Sequence, residues 1–315
     1  VEAKRTGDMI EGFRVLGELG QGAASIIYLA HDPRTKQVCA LKHVKKESPK
    51  DQRFLDQALY EYEVASKLNH PRLRRIYKVI RKKQRLIAVK ELFLVMELVD
   101  GESLEKGTNL SLSSVVDIFH QVAEGLAHMH EKGYVHADMK PNNIVVSDKV
   151  ECKIIDLGQS CKINTIKPRI QGTPDYIAPE QVHRKAITPK TDIYNLGATM
   201  YWVLTKRTIP TAMPRGGDSL MNSVESHLIE KAKPVRELNP QVPERLEKLI
   251  MECIEPDPDK RPPNMQAVLD RLNLVLGILR AQEARERGEL HDESSDGEAT
   301  RFGQEQAGLT TRPGE

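Results

Sequence analysis

Aromatic side chains make up only 4% of the 315 residues, and there is one tryptophan. A chain so poor in rings has little with which to stack nucleobases, so no nucleic-acid partner is expected. Cysteine is scarce as well: Cys39, Cys152, Cys161 and Cys253 stand far apart, without metal-ligand or CxxC spacing. That usage predicts a reduced, cytoplasmic protein. No apolar run approaches the roughly 20 residues of a membrane helix, and Val1-Glu2-Ala3-Lys4-Arg5 has no apolar signal core. No membrane segment is therefore expected in this span. Charge of neither sign dominates, since the net value is +2, but residues 289–315 hold seven acids and two arginines and leave +7 for the rest. What remains is ordinary: 39% hydrophobic and 29% charged residues suit a soluble globular protein of one large domain or two lobes.

Residues 1–9 are polar and read as a leader. Phe13 to Leu19 has strand composition, and Ile26 to Ala30 has it again. Between them lies Gly20-Gln21-Gly22-Ala23-Ala24-Ser25. β-branched and aromatic residues follow this turn, not a helix, so it joins two strands and is not a dinucleotide-binding fingerprint. It is either a plain tight turn or a flap whose backbone can approach phosphates. Val38 to Val44 is a third strand with one lysine, Lys42, among apolar neighbours, and residues 51–68 have helical composition with two acids, Glu61 and Glu63. Residues 72–85 hold eight Lys or Arg interleaved with apolar residues, which predicts a solvated hairpin or a docking patch for an acidic partner. Leu92 to Val99 is a strongly apolar strand. From about Ser113 to Glu131 apolar residues recur at three and four, the period of a helix, and Gly133 ends it. His120, His128 and His130 there lack a carboxylate at metal spacing and read as core or surface histidines.

The stretch His136-Ala137-Asp138-Met139-Lys140-Pro141-Asn142-Asn143 sets an acid, a cation and an amide at positions one, three and six of a short loop. Proline and apolar flanks hold these groups on a buried frame. Ile144-Val145-Val146, a turn at 147–149, and Glu151 to Ile155 form a hairpin whose open end brings Asn143 beside Asp156. An amide oxygen beside a carboxylate suits hard Mg²⁺ that also holds phosphate oxygens.

The loop resembles the His-Arg-Asp-x-Lys-x-x-Asn of protein kinases, with Ala137 where the arginine usually stands. Asp156-Leu157-Gly158 is similar to the family's Asp-Phe-Gly, and the glycine turn to its phosphate flap, with Ser25 replacing the third glycine. The resemblance implies an α+β, bilobal kinase fold, a small β-rich N-lobe (10–99) and a larger helical C-lobe (100–280), followed by a helix end and acidic disordered tail over 281–315. It implies ATP and Mg²⁺. Lys42 would hold the α- and β-phosphates, and counting back ten residues from Pro71 selects Glu61 over Glu63 as its partner. Leu19, Ile27, Ala40 and Val145 would sandwich the adenine, with Met96 at the pocket mouth and the backbone of Glu97 to Val99 pairing with the base. Asp138 would accept the substrate hydroxyl's proton, Lys140 would neutralise the γ-phosphate, and Asn143 and Asp156 would hold the metal.

Residues 159–171 are polar and expected to be mobile, ahead of Gly172-Thr173-Pro174-Asp175-Tyr176-Ile177-Ala178-Pro179-Glu180-Gln181, which is similar to the activation segment of bacterial, eukaryotic-like kinases. Lys140 with Thr173 implies serine/threonine protein substrates. Asp192 would brace the catalytic loop, and Arg261 would pair with Glu180. The competing expectations are a pseudokinase acting as a nucleotide- or partner-binding module, fed by Ala137, Leu157 and Ser25, and a small-molecule kinase, opposed by the Thr173 to Glu180 segment. Without the arginine, activity is expected to depend weakly on phosphate at Ser160 or Thr165.

Overall fold

The computed structural model describes residues 4–22, 24–84, 88–107, 110–213 and 229–287. Residues 1–3 of the expected leader, Ala23 of the glycine turn, Arg85 of the basic run and 288–315 of the expected tail lie outside the described residues.

β1 (Met9–Ile10), β2 (Phe13–Gly22), β3 (Ser25–Asp32), β4 (Gln37–Lys45), β5 (Ile76–Gln84) and β6 (Ala88–Met96) form one antiparallel sheet in the order β1-β2-β3-β4-β6-β5. Strand alternation divides its side chains between two cores. Phe13, Val15, Ile26, Tyr28, Leu41 and Phe93 fill one face. On the other, Ala40, Val44, Leu92, Leu94 and Met96 pack against Leu55 and Ala58 of α1 (Gln52–Ala65). The period of two puts Lys42 on the face of Ala40 and Val44, which is the face turned to α1. Part of the expected leader returns to this sheet, for Gly7 N donates to Val15 O at 2.8 Å and Lys4 N to Tyr28 Oη at 3.1 Å.

The second lobe is mostly helical. It comprises β7 (Glu102–Ser103), α2 (Leu112–Glu131), β8 (Tyr134–Val135), β9 (Ile144–Val146), β10 (Cys152–Ile154), β11 (Cys161–Lys162), α3 (Pro179–Val182), α4 (Pro189–Thr205), α5 (Val235–Leu238), α6 (Glu244–Cys253) and α7 (Met265–Glu286). Ser111 Oγ caps α2 by accepting Ser114 N at 3.2 Å, and Gly133 takes a φ of 81° just beyond its end. Its apolar stripe, including Phe119, Val122 and Leu126, shares one core with Leu196 of α4 and Leu272 of α7. Gly197 lets α4 meet α6, because a Cβ there would lie 2.6 Å from Cys253 Cβ. The whole is the two-lobed α+β arrangement that the resemblance implies, and α4, buried along eleven residues from Thr191 to Tyr201, lies under the loop that follows β8.

The polar segment 159–171 differs from expectation. It is tied down and not left mobile: β11 pairs with β8, and Thr165 bridges Ile187. Backbone pairing at two points fixes a stretch whose composition alone offers no packing.

Candidate active site

On the small lobe, Lys42 Nζ meets Glu61 Oε2 at 2.7 Å, with Glu61 only 1% exposed. Glu63, two residues on, faces away and pairs with Lys67 at 2.8 Å, so helix geometry separates the two acids. Burial alone would lower the Lys42 pKa, but Glu61 and Asp156 outweigh it and hold the ammonium above its ordinary value. Glu61 Oε1 is buried without a hydrogen-bond partner among the described residues. Ala40 opposes Met96, and Ile27 opposes Lys42, across neighbouring strands. Gly20, Gln21 and Gly22 end β2 opposite Ile27, Ile26 and Ser25, and Ala24 sits in the turn. Leu19 on β2 is half exposed, and Val145 alternates away from the core that holds Ile144 and Val146. Burial and backbone pairing narrow the expected adenine pocket. Met96 is fully buried in the sheet–α1 core, so it cannot form a mouth. The Glu97 N–H is already donated to Arg75 O at 2.9 Å, which removes that donor from any base contact.

On the large lobe, Asp192, in the first turn of α4, organises the loop. Its Oδ2 accepts His136 N at 2.9 Å, its Oδ1 accepts Ala137 N at 2.8 Å, and His130 Nε2 lies 2.8 Å from Oδ2. Burial pushes this carboxyl up, but His130, the His136 charge and the Ala137 N–H together hold it below its ordinary value. Ala137 sits at φ 61°, a left-handed conformation that turns the chain sharply before Asp138. Asp138 Oδ2 then lies 3.1 Å from Lys140 Nζ, while Thr173 Oγ1 donates to Asp138 Oδ1 at 2.9 Å and accepts from Lys140 at 2.7 Å. The hairpin register sets Asn143 against Ile155, whose N–H donates to Asn143 O at 2.9 Å, so Asp156 follows as the next residue. Burial pushes the Asp156 carboxyl up, but Lys42, the Gly158 N–H, His136 and Arg74 keep it below its ordinary value. It is a carboxylate held ionised in a largely enclosed place.

Residues 13–272 match the protein kinase domain family. The chain belongs to that family. Its curated relatives include a probable serine/threonine-protein kinase of Clostridium acetobutylicum, 29% identical over 84% of this chain and 40% of the relative. Others are the serine/threonine-protein kinases PrkC of Bacillus subtilis, 28% identical over 81% and 39%, and PknA of Mycobacterium tuberculosis, 29% identical over 82% and 60%. This kinase domain is thus of the bacterial, eukaryotic-like serine/threonine type, as the segment from Gly172 to Gln181 implied. The chain spans about two-fifths of the length of the first relatives it matches.

Three residues of this kinase escaped sequence reasoning. His130 was read as core or surface, yet it braces Asp192. Arg74, inside the basic run, lies partly buried in the fields of Glu61, Asp156 and Glu97, and burial presses its pKa down against them. The run is no uniform wet face, for Arg72 pairs with Glu124 at 3.4 Å, Lys82 with Glu11 at 3.4 Å, and Arg75 donates to Asn69 at 3.1 Å. The third is Lys167, buried within the activation segment. No feature of local sequence marks any of the three; only packing does.

Proposed function

We propose that the chain is an active ATP- and Mg²⁺-dependent protein kinase that phosphorylates serine and threonine hydroxyls of protein substrates. The observation that carries this is the joint Lys140–Thr173–Asp138 contact, at 2.7 and 2.9 Å through the hydroxyl, together with a closed Lys42–Glu61 pair at 2.7 Å. Both halves of the machinery are assembled in one conformation, which a binding module with no transfer to perform does not require.

The donor set fits the metal. Asn143 Nδ2 is spent on the Asp138 carbonyl at 2.8 Å, which turns the amide oxygen free, and Asp156 commits only Oδ1 to the Gly158 N–H at 2.8 Å. Asn143 and Asp156 would hold Mg²⁺, which neutralises phosphate charge and aligns the phosphates when bound. Lys42, steadied by Glu61, binds the α- and β-phosphates. A substrate hydroxyl takes the position beside Asp138 that Thr173 marks in the free chain. As its oxygen bonds to the γ-phosphorus, its proton passes to Asp138 and the bond to ADP breaks, while Lys140 offsets the charge on the transferring group. ADP and phosphoprotein are the products.

The test is nucleotide binding by calorimetry. Wild-type protein should bind ATP with Mg²⁺, and Asp156→Asn should weaken that binding by roughly tenfold or more while leaving metal-free binding alike. Wild-type protein that does not distinguish ATP with Mg²⁺ from ATP alone would sink the assignment.

A further inference from the structure

In kinases whose catalytic loop carries an arginine before the aspartate, that cation meets a phosphate on the activation segment and orders it. Here Ala137 is 0% exposed in an apolar cluster with Val135, Cys161 and Ile187, so its position sends no cation toward the segment, and Lys140 of the same loop is engaged with Asp138 and Thr173. A cation arrives from the other side. Lys167 lies within the activation segment itself, yet it is only 8% exposed, and its Nζ donates to Gln159 O at 2.5 Å. Asp138 and Asp192 both act on this ammonium electrostatically, though burial has the larger effect and presses its pKa down. Burying an ammonium costs several kcal/mol unless nearby groups compensate, and here the Gln159 carbonyl accepts from it while Asp138 and Asp192 offset part of the cost.

We infer that Lys167 is a positioning residue for phosphotransfer: its ammonium closes residues 159–167 into a loop against the catalytic loop and orders the segment without phosphate. This rests on the kinase reading above, and deepens it by assigning how the segment is held. Two observations fit. Ser160, a candidate phosphorylation site, is 4% exposed with its Oγ unpartnered among the described residues, so a kinase cannot reach it while the segment is closed. Thr165 Oγ1 is committed to Lys162 O at 2.7 Å. The buried Ser160 hydroxyl is not placed to carry an ordering phosphate, and Lys167 supplies the ordering charge instead.

The experiment uses the full chain after phosphatase treatment, and compares wild type with Lys167→Met, Lys167→Arg and the double variant Ser160→Ala/Thr165→Ala. Lys167→Met keeps the stem length and loses the charge. It should raise the rate of protease cutting within 159–171 and lower kcat/KM for a serine/threonine peptide by roughly tenfold to a hundredfold, with KM for ATP little changed. Lys167→Arg should recover most of both, and the double alanine variant should keep the wild-type rate. Wild-type segment protection and peptide kinetics in Lys167→Met would overturn the proposal, as would a large loss of rate in the double alanine variant. Should Lys167→Met fail to fold, Lys167→Gln, which keeps a donor and loses the charge, decides: it should be cut within 159–171 faster than wild type, and wild-type protection there would overturn the proposal. Protease protection reads out even if no peptide is phosphorylated, so failure of the staple and failure of the kinase assignment remain distinguishable.

Discussion

Lys42, Arg74, Glu61 and Asp156 form a quartet of two cations and two anions that act on one another electrostatically. Arg74 opposes the charge on Lys42 and helps hold Asp156 ionised. Neutralising Arg74 leaves the quartet with one excess negative charge, which favours a divalent cation and disfavours a polyphosphate. Arg74→Leu should therefore lower the Mg²⁺ concentration for half-maximal activity and raise KM for ATP, each by about three- to tenfold, since a charge interaction of about 1 kcal/mol in a part-solvated site is a factor of about five. A magnesium titration at two fixed ATP concentrations measures both. The quartet also shows what single residues can and cannot reveal. Asp138, Lys140 and Asn143 lie within six positions, so their chemistry is legible as a pattern, and Glu61 follows by counting from Pro71. Arg74 stands among other basic residues and nothing local separates it from its solvated neighbours. Its meaning depends on β10, because Arg74 N donates to Ile154 O at 2.9 Å, two residues before Asp156.

Among elements, α4 decides whether the catalytic loop has a shape. Its first turn offers Asp192, 0% exposed, to two backbone N–H groups and a histidine. Because the folded carboxyl has a depressed pKa, its contribution to stability is fully present above the ordinary carboxylate value near about 4 and is lost as pH falls below it. Asp156 is depressed too and adds to the same window. Thermal unfolding followed from pH 7 to pH 3 should show wild type losing stability on the acid side. Asp192→Asn should start lower by about 2–4 kcal/mol and lose less on acidification. Parallel curves for the two proteins would contradict this role. The position of α2 was legible because its apolar residues recur at three and four, and the structure begins it at Leu112, behind the Ser111 cap. The behaviour of 159–171 was not, since β11 and the Thr165 bridge are long-range pairings and Lys167 turns back on a backbone carbonyl of its own segment, none of which a polar composition announces.

For the molecule as a whole, the helical lobe is anchored by a buried ion pair that takes no part in the chemistry. Arg261 is 3% exposed and donates to both carboxylate oxygens of Glu180 at 2.8 and 3.0 Å, while Thr191 Oγ1 adds a bond to Oε1 at 2.8 Å. This pair, implied by resemblance and separated by 81 positions, joins the end of the activation segment to the loop before α7. Breaking it leaves a buried carboxylate unpaired, so Arg261→Met should cost about 3–5 kcal/mol in denaturant unfolding. A loss below about 1 kcal/mol would show that the anchor lies elsewhere. The central claim is narrower than this architecture: that the assembled site transfers phosphate through Asp138. The direct measurement is transfer of labelled phosphate from ATP with Mg²⁺ to a basic serine/threonine peptide by purified wild type and Asp138→Asn. The account predicts transfer by wild type and a loss of about a hundredfold or more in Asp138→Asn. Undiminished transfer by Asp138→Asn, or none by the wild-type protein, would contradict it.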